Sequence, residues 1–193
     1  MKHATSRMLF SYWDALRGDR AAPDRGEIEP GEIRHILADA FILEIEPDGT
    51  ANIRLAGTRL CALFGRELKA RPLHELWPAE ARAEVRRFIE IVTDETAGVV
   101  AGVVGSTPQH VTLELEMLLL PLRHGGKTHS RILGVISPMS VPSWIGGYAI
   151  ERLETVSLRV IWPCGQPRSQ LSPQQAHADR RRQFVLHQGG LSS

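Results

Sequence analysis

The sequence predicts an α+β domain whose centre is a five-stranded antiparallel sheet. A turn-centred hairpin at 41–55, one strongly amphipathic helix after Pro78, and three long strand-like segments between 97 and 139 predict it. At the N-terminus, Thr5 or Ser6 is expected to cap a first helix with Leu9, Tyr12 or Trp13, and Leu16 on one face and Gly18 as its stop. A polar link from Asp19 to Glu29 follows. Pro30 suits the first turn of a short helix that turns Ile33, Ile36 and Leu37 inward. Phe41, Leu43 and Ile45 then alternate with Ile42, Glu44 and Glu46, the period of a half-buried strand. Pro47 and Gly49 in Glu46-Pro47-Asp48-Gly49 supply a turn, and Ile53 and Leu55 alternate with Asn52 and Arg54 on the return strand.

Residues 57–64 read as a short helix closed by Gly65, and 72–77 as a further one-turn element. After Pro78, Val85, Phe88, Ile89 and Val92 share one helical face, while Glu84, Arg86, Arg87 and Glu90 form a solvated stripe. Strands follow at 97–106, 110–122 and 128–139, with turns at 107–109 and 124–127. In the middle strand Val111, Leu113, Leu115, Met117 and Leu119 form one apolar face. The other face changes from Thr112, Glu114 and Glu116 to Leu118, Leu120 and Leu122. That apolar half needs a cover, supplied either by the Trp13 helix (Leu9, Trp13, Leu16) or by a second subunit. A last segment, 153–162, adds a strand or a short helix. The organisation expected is an N-terminal helix and linker (1–29), a domain (30–162) and a disordered tail (163–193) rich in Gln, Ser, Pro, His and Arg.

Composition bounds the function. The 193 residues suit one generous domain, and a net charge of +1 gives no field that would draw the chain to nucleic acid or an anionic membrane. Cys61 and Cys164 are too few for a disulfide framework, and the longest apolar runs are too short to span a bilayer, so a cytoplasmic location is expected. Arg180-Arg181-Arg182 stands beside Asp179 without an aromatic platform, so no nucleic-acid partner is expected.

The order hairpin, short helices, long helix, three-stranded meander resembles the PAS fold. "FILEIEPDGTANIRLAGTRLCALFGREL" (41–68), "LW" (76–77), "EMLLLPL" (116–122) and "SRILGVISP" (130–138) together resemble the family of bacterial stand-alone PAS proteins, catalogued as the fifth PAS family. The resemblance spans roughly residues 10–161 and implies a PAS-like sheet with helices packed on one face and a cavity between them. It also raises two cofactor readings. Some PAS domains form a flavin adduct through a cysteine in the short helix where Cys61 lies, but the Asn-Cys-Arg-Phe-Leu-Gln surroundings of that cysteine are missing here. Haem-binding relatives take iron on a histidine of the long helix; the helix here has none, and His74 just before it is the one haem candidate.

Catalytic readings find no footing: there is no G-x-S-x-G, P-loop or dinucleotide fingerprint, and His124 and His129 lack ligand partners at zinc spacing. Glu114 and Glu116 read as solvent-facing or as cross-strand partners of Arg131. The candidate pocket comprises Leu60, Phe64, Trp77, Phe88, Val92, Val100, Leu115, Met117 and Ile132, with Phe41, Leu43 and Gly134 as further walls; the same residues equally suit a filled core. Arg54, Arg59 and Arg66 either bind an anionic ligand or stitch the short helix to the sheet. The expected function is a non-catalytic sensory module, a homodimer with a signalling partner protein and a small-molecule ligand; the alternative is a ligand-free adaptor that dimerises or docks.

Overall fold

The structure is a computed structural model and describes residues 1–109, 111–125 and 127–162. The expected tail lies outside the described residues. The elements in chain order are α1 (Ala4–Arg17), β1 (Ala40–Ile45), β2 (Ala51–Ala56), α2 (Thr58–Leu63), α3 (Arg82–Asp94), β3 (Gly98–Ser106), β4 (Thr112–His124), β5 (Lys127–Pro138) and β6 (Arg152–Ile161), with short 3-10 turns between them. The strands form one antiparallel sheet in the order β2-β1-β5-β4-β3-β6.

The expected sheet is present with one strand more. Residues 152–161 form β6, which pairs with β3 from Gly98↔Ile161 to Ser106↔Arg152. β3 would otherwise be an exposed edge of nine residues with Val on both faces, a template for unwanted pairing. At the opposite edge, Ile53 N–H donates to Arg71 O (2.8 Å) and Ala70 N–H donates to Ile53 O (2.7 Å), so part of β2 is covered by a loop.

β1 and β2 join through the expected turn: Gly49 has φ +82°, its N–H donates to Glu46 O, and Asp48 Oδ1 accepts from Thr50 N–H. The return strand departs from simple alternation. Leu43 faces Ile53 but Ile42 faces Leu55, so Arg54 is the extra residue of a bulge. The side chain after the bulge changes face, which is why Leu55 is exposed instead of sharing the Ile53 face.

Two apolar layers sandwich the sheet. On the inner face α2, the 3-10 turns and α3 press on Phe41, Leu43, Leu115, Met117, Leu119 and Ile132. Val85, Phe88, Ile89 and Val92 of α3 are all buried there, with Ile91 beside them. On the outer face α1 and the linker lie over Leu118, Leu120, Leu122, Leu133 and Val135. The helix, and not a second subunit, covers this apolar half of β4: Leu9 and Trp13 are fully buried, Leu16 half so, and Trp13 Nε1 donates to Pro121 O (2.8 Å).

Three local expectations are corrected. His3, not Thr5 or Ser6, caps α1; its Nδ1 accepts from Thr5 N–H (3.1 Å), leaving Thr5 and Ser6 inside the helix. Residues 30–36 make turns, not a helix, and a 3-10 turn at Leu37–Asp39 leaves Leu37 exposed while Ile33 and Ile36 are buried. Val111 precedes β4 and is exposed.

Candidate functional site

The candidate pocket walls between sheet and helices, which suit a filled core equally, pack against one another. Leu60, Phe64, Trp77, Phe88, Val92, Leu115, Met117 and Ile132 belong to one buried cluster with Phe41 and Leu43. Trp77 is 1% exposed and spends its one polar atom on Thr155 of β6, Nε1 donating to Oγ1 at 3.1 Å. The tip of the Phe41 ring abuts Gly134: a Cβ there would sit 2.4 Å from Cζ, so the glycine is what lets the aromatic fill the space.

Val100 is not among these walls. Its pairing with Leu118 places it on the outer face, in the layer beneath α1. The two arginines also separate from the core and from each other. Arg54 is exposed on the bulge and pairs with Glu44 at 2.7 Å. Arg59 reaches from α2 to Asp39, Nη1 contacting both carboxylate oxygens at 3.0 and 2.9 Å. It thus stitches the short helix to the start of β1, while Arg66 remains exposed.

A second, polar cluster was not anticipated. Asp39 is 1% exposed and also accepts from Ser137 Oγ of β5 (3.1 Å). Burial raises its carboxyl above the ordinary value, against the opposing pull of the Arg59 guanidinium and the Ser137 hydroxyl. Ser137 stands opposite Glu116 in the β4–β5 ladder. Glu116 is 5% exposed, and its two oxygens accept from the backbone N–H groups of Lys2 (2.6 Å) and His3 (2.9 Å) at the start of α1. Burial works against its charge, but these donors prevail and hold its carboxyl below the ordinary value. Glu116 therefore faces α1 rather than solvent, and it is not a partner of Arg131, which pairs with Glu44 across β1 and β5. Glu114, two residues earlier, is exposed. The sequence signal for a buried Glu116 was present in hindsight: it is the last acidic residue before the strand's outer face turns apolar at Leu118, where a covering helix has to begin.

A family model described as PAS domain matches residues 1–137. The chain belongs to the PAS domain family. No curated protein matches the sequence. Solved structures similar to this PAS domain include a light-oxygen-voltage domain studied with a flavin analogue (16% identity, 57% of this chain and 83% of that one, TM-score 0.45). Others are the LOV protein of Rhodobacter sphaeroides (10%, 60% and 71%, TM-score 0.44) and the PAS domain of an HTR-like protein from Haloarcula marismortui (18%, 56% and 90%, TM-score 0.39).

The two cofactor candidates of this PAS domain stand at its periphery. Cys61 is half-buried at the rim of the core; its Sγ donates to Glu67 Oε1 at 3.7 Å and burial pushes the thiol up. His74 is half-exposed, and burial together with the charges of Arg86 and Arg82 on α3 depresses its pKa. Among the described residues no group of His, Cys, Asp or Glu is placed to hold a metal ion, and no helix is long and apolar enough to cross a membrane.

Proposed function

We propose that this PAS domain is a cytoplasmic signalling module that acts through protein–protein contact and has no catalytic activity of its own. The observation that carries the reading is the inner core closed by Trp77, Phe88 and Phe41 beside an outer face only half covered by α1. A sensory family and a filled core together favour a module that reads partners over one that reads a deeply buried small molecule. The polar cluster gives such contacts a route through the fold. Asp39 joins α2 to β5, and Glu116, opposite Ser137 on β5, holds the first turn of α1. A partner that displaces α2 or α1 thereby biases the other element through two buried carboxylates.

Native mass spectrometry of freshly purified protein, with its absorption spectrum, tests the reading. The expected result is the bare polypeptide mass with protein absorbance alone. A stoichiometric adduct, whether haem, flavin or another small molecule, overturns the contact-only reading in favour of a ligand sensor.

A further inference from the structure

We infer that His74, Arg82 and Arg86 form a phosphate-binding site on the helical cap, and that its ligand is a phosphorylated side chain of a partner protein. The inference rests on the contact-based reading above and names the chemistry of one contact. Arg82 opens α3 and Arg86 follows one turn later, so the two side chains leave the same face of the helix. His74 stands in the 3-10 turn Leu73–Leu76 ahead of that helix, close enough for both guanidinium charges to act on its ring. Arg82 fixes its stem by donating Nε to Trp77 O (3.3 Å). Among the described residues neither arginine has an ion pair, whereas their neighbour Arg87 pairs with both Glu90 and Glu95.

The nearby carboxylates do not neutralise this group. Glu84 is two residues from each arginine and so on another face of α3; burial raises its carboxyl, with no arginine charge acting against it. Glu90 stands one turn after Arg86 but is taken by Arg87 at 3.1 Å. Glu80 is exposed in the turn before α3 and makes no ion pair with a described residue. Glu75, next to His74, favours the imidazolium, but less than Arg86 and Arg82 oppose it. Two guanidinium groups and an imidazole from two elements thus converge with positive charge in excess. Planar guanidinium donors match phosphate oxygens, and an imidazole that gains a proton adds a third charge-assisted donor. A phosphate monoester offers three oxygens and up to two charges to this set, a carboxylate two oxygens and one charge. Arg86 is exposed and His74 and Arg82 are half-exposed, so the group is reached from solvent. Charge pairs in water are weak on their own, which favours a phosphate carried by a partner that adds further contacts. α3 lies on the inner layer and α1 on the outer, so such a partner leaves the outer face free.

An NMR titration of the full chain with N-acetyl-phosphoserine amide at constant ionic strength tests the inference, with N-acetyl-serine amide and inorganic phosphate as comparisons. The phosphoserine probe is expected to shift the His74 ring signals saturably, and the serine probe to leave them in place. Binding a dianion favours the imidazolium, so the His74 titration midpoint is expected to rise with the probe. Affinity should accordingly strengthen at least about twofold between about pH 8 and about pH 6.5. Arg86→Gln, at an exposed position, and Arg82→Gln are each expected to weaken binding at least about fivefold. His74→Gln is expected to remove the pH dependence. Arg87→Gln removes the same unit of charge from a paired position and is expected to bind as wild type does. If Arg82→Gln unfolds with its Trp77 link lost, Arg86→Gln against Arg87→Gln still decides. Equal response to the serine probe, an unmoved His74 midpoint, or equal loss in Arg86→Gln and Arg87→Gln each overturn the inference. Binding of inorganic phosphate without the phosphoserine probe overturns it in favour of a small anion. A bare native mass with no phosphoserine binding removes this site and leaves the contact-based function standing, whereas a stoichiometric adduct in the native spectrum overturns that function whatever the titration shows.

Discussion

The inner and outer faces of one sheet are buried in different ways, and β4 contributes to both. Inward, Leu113, Leu115, Met117 and Leu119 meet a continuous apolar layer that includes two fully buried large aromatics, Trp77 and Phe88. Outward, Leu118, Leu120 and Leu122 meet one helix and the linker after it, and the helix is positioned by a few polar links: Glu116 to Lys2 and His3, and Trp13 to Pro121. The inner layer is held by volume and cannot move without opening a cavity. The outer helix is held by volume along its Leu9–Trp13 stripe and by charge at its first turn. That arrangement gives a fold whose two faces are buried by different means, and elements with fewer buried apolar contacts open at lower free energy.

The sharpest way to break this comparison is to truncate one residue on each face. Phe88→Ala is expected to cost about 3–5 kcal/mol and to lower the urea midpoint of the whole domain, because the site is enclosed on every side by other buried groups. Leu9→Ala is expected to cost about 2–3 kcal/mol, less than its core counterpart, because α1 relaxes outward into solvent. Hydrogen exchange should separate the two: faster exchange across all strands for Phe88→Ala, faster exchange confined to α1 for Leu9→Ala. Equal, global effects would mean that α1 is as integral as the inner helices.

The inner face was largely legible in the sequence, the outer face much less so. The Val85-Phe88-Ile89-Val92 spacing identifies its own buried face because a helix buries one stripe and the opposite stripe is charged. Val100 was not legible for the opposite reason. β3 reads Gly-Val-Val-Ala-Gly-Val-Val-Gly, apolar on both faces, so only its register against β4 decides that Val100 points outward and Val99 inward. Leu55 required knowledge of a bulge, and the choice of a strand over a short helix for 153–162 required knowledge that β3 lacked a neighbour; neither is a local property. Strand alternation with Thr112 and Glu114 suggests that Glu116 faces solvent or a cross-strand arginine, whereas the backbone donors that bury it come from residues 113 and 114 positions away.

Glu116→Gln tests the outer face by charge alone. The variant keeps an acceptor for one or both N–H groups and loses the charge assistance, an expected cost of about 1–2 kcal/mol at neutral pH. Because the folded-state pKa of Glu116 lies below the ordinary value of 4.5, its stabilisation is present above that value and is lost as pH falls through the depressed one. Wild type should therefore lose part of the α1 attachment on acidification, and Glu116→Gln should lose less over the same range. Asp39 acts with the opposite sign. Its raised pKa means that its contribution is complete below the ordinary value of 3.8 and is lost as pH rises through the raised one. Urea midpoints between about pH 3 and about pH 7 would measure both slopes, with Asp39→Asn removing the second. A variant pair with unchanged slopes would show that neither carboxylate couples α1 or α2 to the sheet.

The smallest expected effect belongs to one of the two arginines that the sequence placed beside one short helix. Arg59 is partly exposed, but the carboxylate it meets is not. Removing it leaves Asp39 with Ser137 alone, so Arg59→Ala is expected to cost about 1–3 kcal/mol through the stranded acid rather than through the lost ion pair. Arg54 and Glu44 both remain in water at the sheet edge, and Glu44 keeps Arg131 when Arg54 is removed. Arg54→Ala should then change stability by less than about 0.5 kcal/mol. The same residue type five positions apart thus separates a joint from an ornament by the burial of its partner alone. Equal midpoints for the two variants would show that the Asp39 link does not join α2 to the sheet.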